Sequence, residues 1–463
     1  MQRFSAAVIR RRKMILIITV FLCAVSAVAA LQVGVNYDLA SYLPKDSPSA
    51  KALHLVTAHI PNLQVYLPDV PISEVAAAKE KLKGIAGVEE VLWLDDAHSG
   101  IIQPLEMLPQ DLREPFYQNG PMFQVVVAKE SQASTVLLIR EGFPGALLKG
   151  EAADTARTIN TTMKEIASIM VYVLPICFII LILATRHWLE PVLFLLAIGV
   201  AIVINEGTNI LFGSISFVTR AASAVLQLAV SIDYAVFLLH RFNERREEGH
   251  PVDEAMKLAM QQAASSIASS AMTTVFGFMA LMLMRFGLGM DMGVVLMKGV
   301  ILSYLSVMVM LPAATVSCAR LMEKTRHRAF MPSFTRFGQF VVKRLMPLAV
   351  VALVILPLAF IAQQRNHFVY GSGGMHSPDS PIKVEQRKIE EAFGHNRTML
   401  MLVPSGDPVR ETALGEDLLG MPEVENLTSY AATVGVQVPE AVLPQTARDQ
   451  FMDGGYARLI MSV

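Results

Sequence analysis

The chain has 463 residues, 53% of them hydrophobic, and a mean hydropathy of +0.46, which excludes an ordinary soluble globular protein. Its formal net charge of −1 excludes the strongly basic surface that a nucleic-acid partner needs. Its three cysteines, Cys23, Cys177 and Cys318, sit in or at the ends of apolar runs, so they supply neither a disulfide framework nor a metal site outside the membrane.

Apolar runs predict seven membrane-spanning helices, at residues 14–33, 166–184, 191–204, 221–239, 267–284, 293–316 and 345–362. The third is short and could extend to Phe212 through a polar patch at 205–209. Residues 14–33 follow a basic string, Arg10 to Lys13, and contain Ala27-Val28-Ala29, as a signal peptide would; their length favours an uncleaved helix. Basic residues gather before the first helix, after the fourth, and between the sixth and seventh. The positive-inside rule then places the N-terminus in the cytoplasm and the long polar segments 34–164 and 363–463 outside.

The resulting plan is a cytoplasmic start and first helix (1–33), an external domain (34–165), a five-helix bundle (166–318), a cytoplasmic linker (319–344), a seventh helix (345–363) and a second external domain (364–463). In the first external domain, strands are expected at 63–67, 88–94 and 123–128, with helices at 72–85 and 104–117. A repeated strand–helix–strand order of this kind points to a mixed α/β, ferredoxin-like sandwich. Neither external segment holds a nucleotide loop, zinc spacing or nucleophile elbow, so no enzyme chemistry, cofactor or metal is expected.

The external segments resemble each other. Asp46-Ser47-Pro48 matches Asp379-Ser380-Pro381, residues 63–68 (LQVYLP) match 399–404 (MLMLVP), and Leu108-Pro109-Gln110 matches Leu443-Pro444-Gln445. The offset stays between about 333 and 336, as a duplication requires. The repeat unit is one helix, an external domain and five more helices, so the copies are parallel repeats. The second copy reaches only the counterpart of strand 123–128, so the chain is expected to be the front part of a longer protein.

The most informative residue is Asp233, in the middle of the fourth run (AASAVLQLAVSIDYAVFLL). A carboxylate there costs about 2.5–3.5 kcal/mol on insertion scales, so a buried Asp233 is a candidate proton carrier. Tyr234 points to a different side of the helix and could extend a relay. The fifth helix is rich in small hydroxyls, and Ser269 and Thr273, one turn apart, could support Asp233; packing alone is the competing account. Lys298 lies nearer the outer end of the sixth helix than Asp233 does of the fourth, so it is expected to snorkel outward rather than pair with it. Pro312 is expected to kink or end the sixth helix.

The string Ser231-Ile232-Asp233-Tyr234, continuing through Phe237-Leu238 and Arg241-Phe242 to Glu244, resembles the fourth-helix signature of MMPL-type transporters in the resistance–nodulation–division superfamily. The hydroxyl-rich stretch 265–274 and the Gly299 to Leu311-Pro312 end of the sixth helix are also similar, while Ser231 stands where many members carry Gly. The resemblance implies a multi-pass protein of the bacterial cytoplasmic membrane that exports lipids or other hydrophobic molecules, driven by the proton-motive force. Protons, membrane lipids and a lipid-like substrate would be its partners, with self-association open. Asp233 and Tyr234 would form the proton site, and the tenth helix of a complete two-bundle protein would supply the other half of the relay. Two other accounts stay open: a lipid-sensing receptor resembling sterol-sensing-domain proteins, and a SecD/SecF-like translocation helper.

Overall fold

The computed structural model of the chain describes residues 1–48, 50–51, 61–97, 113–327, 335–366, 380–394, 398–424, 426–433, 451–453 and 455–462. Its contacts form two units, Met1–Pro44 with Thr162–Phe368, and Lys45–Thr161 with Val369–Val463. The chain opens with α1 (Gln2–Arg10), α2 (Arg12–Ala30) and β1 (Gly34–Asn36). It continues through β2 (Leu63–Tyr66), α3 (Val75–Lys83), β3 (Val88–Leu92), β4 (Met122–Val127), α4 (Gln132–Gly142) and β5 (Leu147–Lys149). Next come α5 (Glu151–Ala184), α6 (Leu189–Thr208), β6 (Ser214–Ser216), α7 (Phe217–Glu247), α8 (Val252–Leu281), α9 (Gly287–Leu305) and α10 (Leu311–Ser317). The later elements are α11 (Thr335–Lys343), α12 (Leu345–Gln363), α13 (Pro381–Phe393), β7 (Thr398–Pro404), α14 (Pro408–Leu419), β8 (Asn426–Thr428) and β9 (Tyr456–Ser462).

Among the described residues, seven helical stretches are long and apolar enough to cross a bilayer, one for each apolar run of the sequence. The chain is a multi-pass helical membrane protein. Several of these helices outrun their apolar cores because polar ends can project beyond hydrocarbon. α7 continues to Glu247 and starts at an N-cap, where the Ser216 hydroxyl accepts the Thr219 N–H at 3.1 Å. The third span carries through its polar patch and a 3₁₀ turn to Phe212.

Pro312 does not end the sixth span, which runs on to Ser317. A π-helical turn, Ser306–Met310, precedes it, and α10 resumes with the proline in its first turn. Proline lacks the N–H that would bond the carbonyl four residues back, and a wider turn just before it accommodates that loss. The Ser306 hydroxyl ties this turn to α6 by donating to the Ala197 carbonyl at 2.7 Å.

The bundle core lies among α6, α7, α8 and α9. On α8 the buried Ala255, Ala259, Ala263 and Ala264 let neighbouring backbones come close. α2 crosses α6 where a side-chain carbon on Gly207 would meet the Ser26 carbonyl oxygen at 2.2 Å, so only glycine fits. β1 pairs in parallel with β6, Gly34 opposite Ser214, which ties the residues after α2 to the start of α7. The first boundary therefore falls later than the sequence plan has it: residues 34–44 belong with the helices. α12 has no buried residue.

In the other unit, β2 to β5 form an antiparallel sheet of order β3-β4-β2-β5, with connectivity β2-α3-β3 and β4-α4-β5. Leu63, Val65, Phe123, Val125 and Leu148 alternate onto the face that packs with Val75, Leu82, Val136 and Ile139. β2, α3, β3 and β4 fall where the sequence places them. The helix expected at 104–117 lies largely outside the described residues, and its described end is a turn. α4 and β5, which complete the layer, were not anticipated.

The later segment repeats the plan. β7, α14, β8 and β9 follow the order of β2, α3, β3 and β4, and β9 pairs antiparallel with both β7 and β8, as β4 does with β2 and β3. α11 and α12 likewise repeat α1 and α2. α13 packs on β5, with Glu385 accepting two bonds from the Arg140 guanidinium at 3.1 and 2.8 Å.

Candidate functional site

α7 carries two opposed faces. On the packed side lie Thr219, Ser223, Gln227, Ser231 and Tyr234, three or four residues apart and all buried. Polar groups withdrawn from water cost energy unless they find partners. Most do, and the partners come from α6 and α9.

At the β1–β6 end, Asp291 accepts the Ser216 N–H at 2.9 Å and the Thr219 hydroxyl. One turn deeper, the Ser223 hydroxyl donates to Glu206, whose other carboxylate oxygen lies 3.6 Å from Arg220 Nε. Deeper again, the Gln227 carboxamide is the hub. Its oxygen accepts from Asn205 Nδ2, and its nitrogen donates to the Gly299 carbonyl and the Ser303 hydroxyl, each at 3.0 Å. The Ser231 hydroxyl continues the line by donating to the Gln227 carbonyl. Gly299 is a spacing requirement, because an added side-chain carbon would meet Asn205 Nδ2 at 2.9 Å and Gln227 Oε1 at 3.1 Å.

Lys298 joins this seam and does not reach Asp233. Its ammonium donates to the Asn205 carbonyl at 3.1 Å and to Asn209 Oδ1 at 2.6 Å, beside the Phe212 ring. Bonding capacity remains on five buried atoms: Asn205 Oδ1, Asn209 Nδ2, Glu206 Oε2, Arg220 Nη1 and the Tyr234 hydroxyl. From Thr219 to Tyr234 the seam covers about 22 Å at 1.5 Å per residue.

Asp233 occupies the opposite face. The sequence expects it buried; in the structure it is exposed, on a stripe with Leu226, Ala229 and His240. The reason is packing geometry: Ser231, Tyr234 and Leu238 fill the side against α6, α8 and α9, which turns position 233 outward. Asp233 has no hydrogen-bond or ion-pair partner among the described residues. Ser269 and Thr273 are also exposed, on α8, and the Thr273 hydroxyl bonds the Ser269 carbonyl of its own helix at 3.0 Å. Neither is joined to Asp233. Tyr234, its neighbour in sequence, lies in the core, so the two side chains serve different surroundings.

A further polar cluster lies at the α1 end. Glu190, 1% exposed, receives Asn243 Nδ2 at 2.7 Å, and His187 Nδ1 lies 2.8 Å from the same oxygen. The Arg186 N–H points at its other oxygen at 3.4 Å. No sequence expectation singles out Gln227, Glu206 or Glu190. An amide or carboxylate inside or at the mouth of an apolar run was the available signal.

The MMPL family model matches residues 144–348, which hold α5 to α11 and every residue of the seam. Over these residues the chain is similar to the MMPL family. It is 31% identical over 138 residues to the membrane protein MJ1562 of Methanocaldococcus jannaschii, covering 30% of this chain and 36% of that one. To the membrane protein ActII-3 of Streptomyces coelicolor it is 26% identical over 176 residues, 37% of this chain and 24% of the relative. To the sulfolipid-1 exporter MmpL8 of Mycobacterium tuberculosis it is 26% identical over 184 residues, 38% and 16%. The matches thus span little more than a third of a relative's length at most.

Proposed function

We propose that this MMPL-type chain serves proton-driven export of lipids or other hydrophobic molecules across the bacterial cytoplasmic membrane. Asp233 is the proton carrier and Tyr234 the link between it and the seam. The observation that carries this reading is the junction on α7: a mid-span carboxyl on the open face, next in sequence to a core tyrosine whose buried hydroxyl has no hydrogen-bond partner and lies on the same helix side as the polar seam. Leftover bonding capacity along that line suits bridging water, which would let protons travel between the β1–β6 end and the middle of the membrane. A second helix bundle, as the family resemblance implies, would cover the open face and present its own relay group to Asp233.

Other features agree. One charge crossing 100 mV yields about 2.3 kcal/mol, so a few protons suffice to lift a lipid from its leaflet. The name of the MmpL8 relative supports a lipid-like cargo and the outward direction. The βαββαβ order and the strand arrangement of the first sheet match a ferredoxin-like sandwich, which supports reading it as a porter-type domain outside the membrane.

The test compares lipids extracted from the surface of cells lacking the gene with those of cells complemented by the full-length protein. Asp233→Asn is expected to reproduce the deletion profile at an unchanged membrane level of protein. Wild-type surface lipids in that strain would refute the assignment. A sensor would keep its response to lipid after a protonophore collapses the gradient, whereas export by this mechanism stops.

A further inference from the structure

At the end of the bundle opposite β1 and β6, α1 lies against α8 and α10 and borders an open cavity of about 880 Å³. Its lining includes six cations, Arg3, Arg10, Arg11, Arg12, Lys13 and Lys257, and one carboxylate, Asp253. Asp253 is engaged by Arg12 at 3.3 Å. The other five cations have no ion-pair partner among the described residues. Like charges gathered round one cavity repel each other, and an anion placed among them removes that repulsion.

We propose that this cavity binds the phosphodiester headgroup of an anionic phospholipid. Three observations separate such a site from the loose basic residues that merely orient a membrane protein. The helix that carries them is held in place, because α1 buries Val8 and Ile9 in the bundle and its Ser5 hydroxyl accepts a bond from Gln261 Nε2 at 3.2 Å. The cavity has the size of a small-ligand pocket, about 300–1,000 Å³. And the apolar side of a lipid has a place to lie: Met14 lines the cavity, and Ile17, Ile18 and Phe21 continue from it along the exposed face of α2. A basic pocket beside spanning helices, opening onto an apolar track, is the recognition chemistry of an acidic lipid. The repeat provides an internal control. Lys343 and Arg344 precede α12 as Arg10 and Arg11 precede α2, but they are not among the residues that line this cavity.

The full chain is purified in mild detergent from membranes containing phosphatidylglycerol, and retained lipids are counted by native mass spectrometry. The wild type is expected to keep one phosphatidylglycerol per chain in preference to phosphatidylethanolamine. Arg10→Gln/Arg11→Gln/Lys257→Gln should lower that occupancy at least tenfold, while Lys343→Gln/Arg344→Gln, which also removes positive charge, leaves it unchanged. Should the triple variant fail to fold, Lys13→Gln/Lys257→Gln, judged by an unaltered melting temperature, is read in its place. Equal retention by cavity and control variants overturns the site. Displacement of the lipid by millimolar inorganic phosphate alone overturns the lipid as its occupant, since a free anion would then suffice. Transport activity enters none of these readouts, so the outcome is independent of the proton mechanism.

Discussion

Gly299→Ala probes the seam at its hub. The new methyl group would sit 2.9 Å from Asn205 Nδ2 and 3.1 Å from Gln227 Oε1, so both carboxamides must move. Three bonds of Gln227 are then strained or lost, those to Asn205, the Gly299 carbonyl and Ser303. Interhelical hydrogen bonds in membranes average about 0.6 kcal/mol, which gives a loss of about 2 kcal/mol. Alanine also favours a helix over glycine by about 1 kcal/mol, which would mask part of that loss. Gly199→Ala is the matched reference, because it gains the same propensity with nothing within 4 Å of the added carbon. The expected difference between the variants is therefore about 2 kcal/mol, or about 4–8 °C in melting temperature for a domain of this size. Thermal unfolding of the detergent-solubilised chain, followed by intrinsic fluorescence, measures it. Equal melting temperatures for the two variants would show that Gly299 is not packed against a bonded amide pair, and the seam as described would be wrong.

Glu190→Ala should cost about 1–3 kcal/mol, since it strands the Asn243 amide and the His187 ring in a buried site; Glu190→Gln should recover most of it in the same melting assay. Tyr42 has its phenol pKa pushed up to about 12 by burial and by the charge of Asp291, with Asn36 opposing. A raised phenol pKa means that the fold favours the neutral form. That stabilisation is complete below the ordinary value of 10.0 and is lost as pH rises through about 12. Alkaline melting curves should fall across this window for the wild type and more gently for Tyr42→Phe; identical curves would contradict the assignment.

Much was legible because it is one-dimensional. A run of apolar residues long enough to cross hydrocarbon forms a helix whatever its neighbours do, and all seven runs form helices long and apolar enough to cross a bilayer. Strand-like runs at 63–67, 88–94 and 123–128, with the amphipathic helix between 72 and 85, placed four elements of the first α/β layer. β5 is only three residues long, and it is a strand because β2 offers an edge to it. α4 holds Gln132 and Thr135 among its buried positions, which blurs the apolar stripe that would have announced it.

The functional residues divide in the same way. Asp233 stands out because a charge in an apolar run is costly wherever it points, and the sequence alone singles it out, with Tyr234, as the proposed proton site. Which of the two faces the core depends on how α7 rotates against α6, α8 and α9, and no local pattern encodes that rotation. Gln227, Asn205 and Lys298 come from three different helices, and only the packed bundle brings their polar atoms within bonding distance. Hydrophobicity is a property of a segment, and so the sequence determined what crosses the membrane; hydrogen bonding is a property of pairs, and so the tertiary structure decided which polar groups meet inside it.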